Sequence, residues 1–373
     1  MNSLQKKIVE RIREEGPITF ERFMSMALYD PDLGYYNTAT GKIGREGDFY
    51  TSSHLHPIFG AMLGRQITEM WDLLGCPDNF SIVEMGAGAG YVCKDLLESL
   101  RDTDFYSALQ YIIIERSPVI RDSQQKLLAG FSGKVKWSAA LNECRNITGC
   151  ILSNELLDAF PVHLVRMEDT LKEVYIDFDA ENGLFELTGD LSSSELDGYF
   201  SEFSIAIEKG HTTEVNLAIR DWLHEINEAL LRGFILTVDY GYPSWDYYSE
   251  DRNRGTIMCY RKHQLSENPY VHIGQQDITA HVNFSAVKKW GEKLGIKTAG
   301  FCGQGVFMVS LGIEDDLKRI VEGAKDYAFE IARIKKLILP QGMGESHKVL
   351  VQYKGTEPPK LRGFSMRNQI RVL

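Results

Sequence analysis

From Ser81 onward the chain alternates short apolar segments with amphipathic ones, and this rhythm limits the fold more than any other feature of the sequence. SIVEM, YIIIE, VKW, CILSN and FILTVDYG read as strands, while apolar residues recur at helical spacing over 91–100, 118–128 and, briefly, 156–159. A strand that is apolar on both faces must be covered on both. The pattern therefore predicts an α/β fold, a mainly parallel sheet with helices on each side, which KTAGF and KVLVQY complete with two more strands.

Other segments are added to this core. Leu4, Ile8 and Ile12 form one helical stripe, Phe20, Phe23, Met24, Ala27 and Leu28 a second, and Pro57 opens a further helix that stops at Gly75. Past Pro161, VHLVRM, KEVYIDFD and LFELTGD read as antiparallel strands, with Asn182 and Gly183 as a hairpin turn. The expected organisation is an N-terminal helical and lid region over 1–78, a first core part over 79–160 and an inserted antiparallel subdomain over 161–212. A second core part over 213–354 carries an irregular loop at 242–276, and a mobile basic tail fills 355–373. At about 150 residues per domain, 373 residues suit two domains or one large α/β domain with an insertion.

The glycine-rich segment over 82–90, IVEMGAGAG, is the strongest local signal. A strand that turns through Gly86, Ala87, Gly88 and Gly90 into a helix lets backbone N–H groups approach a nucleotide-like ligand at the positive helix end. A dinucleotide fingerprint would place a third glycine at position 91, where Tyr91 stands, and this disfavours a nicotinamide oxidoreductase. The GxGxG spacing is instead common in adenosylmethionine-dependent methyltransferases. Glu115, at the end of the next strand, suits bidentate acceptance from ribose hydroxyls, and the third strand ends at 138–141, where an adenine would lie. Glu84 either meets the ligand ammonium or caps the glycine loop.

Composition narrows the function classes. With 41 basic and 52 acidic residues the net charge is −11, so duplex nucleic acid is not an expected partner, and Arg252, Arg254, Arg261, Lys262 and His263 read as a loop that contacts an acidic protein segment or solvent. No apolar run reaches the length of a bilayer span. Six cysteines without CxxC spacing exclude a zinc ribbon or a disulfide framework, and His54 and His56 lack a matching acid or cysteine, so no metal is expected. The opening MNSLQKKIVERIREEG has no secretion-signal core and is acidic for a transit peptide; cytoplasm is the expected compartment.

In collinear order over most of the chain stand GPITFERFMSMALYDPDLGYY, GDFYTSS, VEMGAGAG, SNELLDAFPV, VDYGYP, RGTIMCY and GQQDITAHVNFSAV. On these motifs the sequence resembles the MidA family of class I methyltransferases, which includes the mitochondrial complex I assembly-factor arginine methyltransferase. The resemblance implies a Rossmann-like fold, S-adenosyl-L-methionine as cofactor, and symmetric dimethylation of an arginine in a protein substrate. For the mitochondrial branch it implies a subunit of the respiratory NADH dehydrogenase as partner. It also suggests that Thr51 and Ser52, with Asp48 and Tyr50, cover the ligand. One departure is that Ser53 and His54 stand where the family pattern has proline and glutamate.

An arginine acceptor is protonated and delocalised, so carboxylates must hold it and stabilise the charge as a proton leaves. Glu155 and Asp158 are the expected pair, three residues apart on one face of a helical turn at a strand end. The alternative for both is a simple helix-dipole effect. Asn154 either caps that helix or bonds a substrate amide. Asp239 either fixes the acceptor, orients Tyr240 or forms a turn. Asp277, Thr279 and His281 are candidates for orienting substrate, with His281 as proton relay; helix capping by Asp277 and a structural His281 are the alternatives. Competing functions keep the cofactor but change the acceptor to a small molecule or another side chain, or make the chain a SAM-binding assembly factor. The hairpin at 172–187 suits a homodimer contact or the cover of an edge.

Overall fold

The computed structural model describes residues 1–38, 52–262, 264–323 and 327–373. Strands Phe80–Met85, Leu109–Ile114, Val135–Ser138, Ile147–Asn154 and Leu230–Tyr242 pair in parallel, with Phe80–Met85 between Leu109–Ile114 and Ile147–Asn154. The chain thus moves outward from Phe80–Met85 in one direction and then in the other, which opens a crevice at the carboxyl ends of the central strands. Strand His347–Lys354 then runs antiparallel beside Leu230–Tyr242, and Lys297–Gly303 runs antiparallel beside it. The late strand KVLVQY therefore lies inside the sheet rather than at its edge.

This sheet belongs to one of two compact units, made of Tyr50–Leu156, Trp222–Gly241 and Val287–Leu373. Its core contains Phe59, Met62 and Leu63 of helix Ile58–Leu73, Leu96 and Leu97 of helix Tyr91–Leu100, and Phe234 and Val351 of the sheet. The tail, expected to be mobile, is packed into the same core. Leu361 and Phe364 are buried, the Phe364 ring lies 5.5 Å from that of Phe307, and the Gly363 amide donates to Gln66 Oε1 at 3.0 Å. Its basic residues masked two well-placed apolar ones.

The other unit comprises Met1–Phe49, Leu157–Asp221 and Tyr242–Ala286. Helix Ser3–Glu15, capped by Asn2 Oδ1 on the Gln5 amide at 2.8 Å, buries Leu4, Ile8 and Ile12, and helix Phe20–Tyr29 buries Phe20, Phe23, Met24, Ala27 and Leu28. They share a core with Leu164, Val174 and Ile176 of an antiparallel sheet ordered Ile18–Thr19, Leu171–Asp179, His163–Met167 and Thr212–Val215; Gly183–Gly189 pairs with Leu171–Asp179. The segment expected as an irregular loop contains strand Met258–Arg261, paired with Gln264–Ser266 and Asp277–Thr279. The buried Glu214 holds it in place by accepting from the Thr256 and Ile257 amides at 2.6 and 3.1 Å, a long-range tie with no periodic signature. Arg252 in this segment lies over the Tyr242 ring at 3.8 Å and bonds Asp246, so its charge is used internally.

Candidate active site

Strand Phe80–Met85 turns through Gly86, Gly88 and Gly90, all at positive φ (71°, 51° and 88°), into helix Tyr91–Leu100. A Cβ on Gly86 would stand 2.7 Å from Leu156 Cδ1, which would have to shift, and φ 71° strains any side chain there; the contact joins the glycine turn to the segment after Ile147–Asn154. Ala87 packs into the core, and no side chain caps the helix, leaving its first amides to a ligand. Glu84 is 1% exposed and accepts from Tyr111 Oη at 2.8 Å; burial pushes its carboxyl up to about 7. Its hydrogen bond is made inside the sheet rather than to the turn.

Glu115 lies just past strand Leu109–Ile114. Its Oε1 accepts from the Ser117 amide at 2.8 Å, Oε2 from Gln124 Nε2 at 3.4 Å, and burial raises its pKa. The fully buried Gln124 also donates to the Gly88 carbonyl at 2.8 Å and accepts from Trp137 Nε1 at 2.9 Å. One amide thus fixes the glycine turn relative to the acid. Sequence reading missed Gln124, because a glutamine inside an amphipathic helix carries no signal of its partners.

Asn154 closes its strand, and its buried Oδ1 has no hydrogen-bond partner among the described residues, so it caps no helix. Glu155 adopts φ 50°, a left-handed conformation that costs a non-glycine residue about 1–2 kcal/mol. The expected helical face shared by Glu155 and Asp158 is corrected accordingly: Glu155 stands outside the 3-10 turn Leu157–Ala159, because the backbone reverses at Glu155 before that turn begins. Asp239, fully buried, sustains the reversal; its Oδ2 accepts from the Leu156 amide at 3.2 Å and its Oδ1 from the Tyr240 amide at 2.9 Å. The Glu155 side chain is 5% exposed. Its Oε1 accepts from the Ser52 amide at 3.1 Å, and its Oε2 has no hydrogen-bond partner among the described residues. His347 Nε2, which the sequence did not single out, stands 3.7 Å from that Oε1.

Asp158 belongs to the other unit, where its carbonyl accepts from the Ala280 amide at 2.9 Å and its charge acts on Tyr36. Tyr36 donates to Asp277 Oδ1 at 2.9 Å, and burial together with the Asp277 charge raises the phenol pKa. Asp277 lies in strand Asp277–Thr279, which corrects the helix-cap alternative; Thr279 Oγ1 donates to the Met258 carbonyl at 3.4 Å. The His281 ring packs edge-on against Tyr242 at 5.2 Å, and its amide donates to Thr256 Oγ1 at 3.0 Å. Ser52 Oγ donates to Gln304 Oε1 at 3.1 Å, in the unit of the large sheet. Thr51, Asp48 and Tyr50 lie outside the described residues, as do the side chains of Ser53 and His54.

The switch in strand order, the glycine turn and an acid at the adjoining strand end define a class I, Rossmann-like nucleotide site. Asn154 Oδ1 and Glu155 Oε2, buried acceptor atoms without hydrogen-bond partners among the described residues, fit a cationic ligand beside it. Residues 62–302 match a family model described as S-adenosyl-L-methionine-dependent methyltransferase, and the chain belongs to that family. It is similar to a COG1565 superfamily member from Burkholderia thailandensis, crystallised with S-adenosyl-homocysteine. The TM-score is 0.91 and the identity 30%, over 100% of this chain and 96% of that one. Among curated proteins it is 27% identical to the "Protein arginine methyltransferase NDUFAF7 homolog, mitochondrial" of Drosophila melanogaster, over 95% of this chain and 85% of that protein. The Xenopus laevis protein of corresponding name is 27% identical over 98% of this chain and 89% of its own length. The chain is therefore an enzyme that transfers methyl groups from S-adenosyl-L-methionine.

The expected cytoplasmic location is corrected by these relatives, which are mitochondrial proteins by name. The opening segment behind that expectation is a folded helix whose apolar stripe is buried, so its acidity reflects a solvated face and not an address. Among the described residues no helix is long and apolar enough to cross a membrane, and no group of three or more His, Cys, Asp or Glu could hold a metal.

Proposed function

We propose that this methyltransferase modifies an arginine of a protein substrate, with Glu155 as the carboxylate that receives the guanidinium. The observation that carries the reading is the buried Glu155 Oε2 without a partner among the described residues, on a strained turn held by Asp239. A buried anionic oxygen costs several kcal/mol unless a cationic donor meets it. A guanidinium supplies such donors in a planar fork. The names of the relatives support the same acceptor.

S-adenosylmethionine supplies an electrophilic methyl on a sulfonium when bound. The Gly86 to Gly90 turn and the uncapped helix start would hold its carboxylate end, Glu115 its ribose hydroxyls, and Asn154 Oδ1 its ammonium. Gln124 keeps the turn and Glu115 in register. Glu155 orients one terminal nitrogen of the acceptor and stabilises the charge as its proton leaves. The family resemblance supports symmetric dimethylation and a respiratory NADH dehydrogenase subunit as the acceptor protein. Strand Gly183–Gly189, paired with Leu171–Asp179, offers an edge for a second copy, which light scattering would register as a doubled mass.

The test incubates the protein with methyl-labelled S-adenosylmethionine and a lysate from a strain lacking it, followed by mass spectrometry of labelled residues. Symmetric dimethylarginine in one protein is expected. Glu155→Gln should bind S-adenosylhomocysteine within about threefold of the parent yet transfer at least about 100-fold more slowly. Label on another residue or on a small molecule overturns the acceptor assignment, and an active Glu155→Gln enzyme overturns the role of Glu155.

A further inference from the structure

His347 opens strand His347–Lys354. Because that strand runs antiparallel to Leu230–Tyr242, its first residue pairs with Tyr240 at the carboxyl ends of the parallel strands. The His347 side chain is 7% exposed, with its ring 5.5 Å from that of Tyr240. Its Nδ1 lies 3.1 Å from Ser346 Oγ. The Ser346 hydroxyl also lies 3.3 Å from the Gly342 carbonyl; with its one proton directed there, the same oxygen accepts from Nδ1–H and the lone pair is left on Nε2.

Nε2 has no hydrogen-bond partner among the described residues and faces Glu155 Oε1 across 3.7 Å. A carboxylate oxygen and an imidazole lone pair are both acceptors, and a proton delivered between them would close that spacing to a hydrogen bond. The His347 ring borders groups of several elements. Glu155 faces it from the turn after Ile147–Asn154, and Tyr240 packs on it from the neighbouring strand. Asp239 bonds the Leu156 and Tyr240 amides, and the Lys348 ammonium turns to Glu345 Oε1 at 3.1 Å.

We propose that His347 is a positioning residue that takes up, through Glu155, the proton released during methyl transfer. This rests on the reading of Glu155 as the carboxylate that holds the acceptor nitrogen. The acceptor nitrogen forms a bond to the methyl carbon and loses one N–H, while the C–S bond breaks with its electron pair left on sulfur. The proton passes from the acceptor nitrogen to the Glu155 carboxylate, whose Oε1 faces His347, and on to His347 Nε2; the guanidinium keeps its single positive charge, and the imidazolium returns the proton to water.

Nitrogen-15 spectra of the full chain test the base directly. Nδ1–H with a bare Nε2 on His347 at the working pH is expected; an Nε2–H tautomer or an imidazolium overturns the proposal. His347→Ala should bind S-adenosylhomocysteine like the parent while methyl incorporation falls about tenfold to 100-fold at unchanged KM. Added imidazole should restore part of that rate. A parental rate, or no rescue at intact binding, overturns the assignment. If His347→Ala does not fold, His347→Gln is read in the same way except for the rescue. Failure of the arginine reading is distinguishable, since it is read from where the parent places its label, while the tautomer still accepts or rejects His347 as the base.

Discussion

Glu84 allows a quantitative test of what the acid before the glycine turn does. Burial moves its carboxyl from 4.5 to about 7, with the Tyr111 hydrogen bond pulling the other way. A carboxyl raised in the folded state binds its proton more tightly folded than unfolded. Its stabilising contribution is thus fully present below 4.5 and is lost as pH rises through 7. At about 1.4 kcal/mol per pH unit the whole loss is about 3 kcal/mol, most of which falls between pH 5 and pH 8. Glu84→Gln removes this titration, while Asp95, Glu115 and Glu214, also raised by burial, titrate in both proteins and cancel. Urea unfolding of both proteins across that range should show the parent losing about 2–3 kcal/mol more than the variant. Curves parallel to within about 0.5 kcal/mol would refute the reasoning. If Glu84 met the ligand ammonium instead, S-adenosylhomocysteine binding near pH 6.5 would release a proton from it, which calorimetry in two buffers would detect.

Gly86→Ala places a Cβ 2.7 Å from Leu156 Cδ1 at a φ of 71°. The strain of about 1–2 kcal/mol should weaken S-adenosylhomocysteine binding about tenfold by calorimetry, and an unchanged affinity would contradict the close-approach account. Phe364→Ala removes a buried ring from its contact with Phe307 and should cost about 3–4 kcal/mol in chemical unfolding. A loss below about 0.5 kcal/mol would return the tail to the mobile state expected from its charge.

Local patterns reported much of the fold. The helical stripes of Leu4, Ile8 and Ile12 and of Phe20 to Leu28, the hairpin at Asn182 and Gly183, and the helix Tyr91–Leu100 follow from periodicity and turn chemistry alone. The glycine turn was equally legible, since three closely spaced residues that reach φ values of 51–88° favour glycine, which has no Cβ to strain. The carboxylates were found as residues but not as geometry. Glu155 was expected on a helix, and its left-handed turn depends on Asp239, whose bond to Leu156 spans a long stretch of chain.

By itself the sequence determined which segments are strands and helices, and which glycines bring a ligand to the sheet, because these depend on neighbours a few residues away. Only the tertiary structure decided that His347–Lys354 enters the sheet antiparallel beside Leu230–Tyr242. That reversal carries His347 to the rim where Glu155 stands, and Gln124 reaches both the glycine turn and Glu115 in the same way. Such contacts join residues far apart in the chain, so they exist only once the strands have packed.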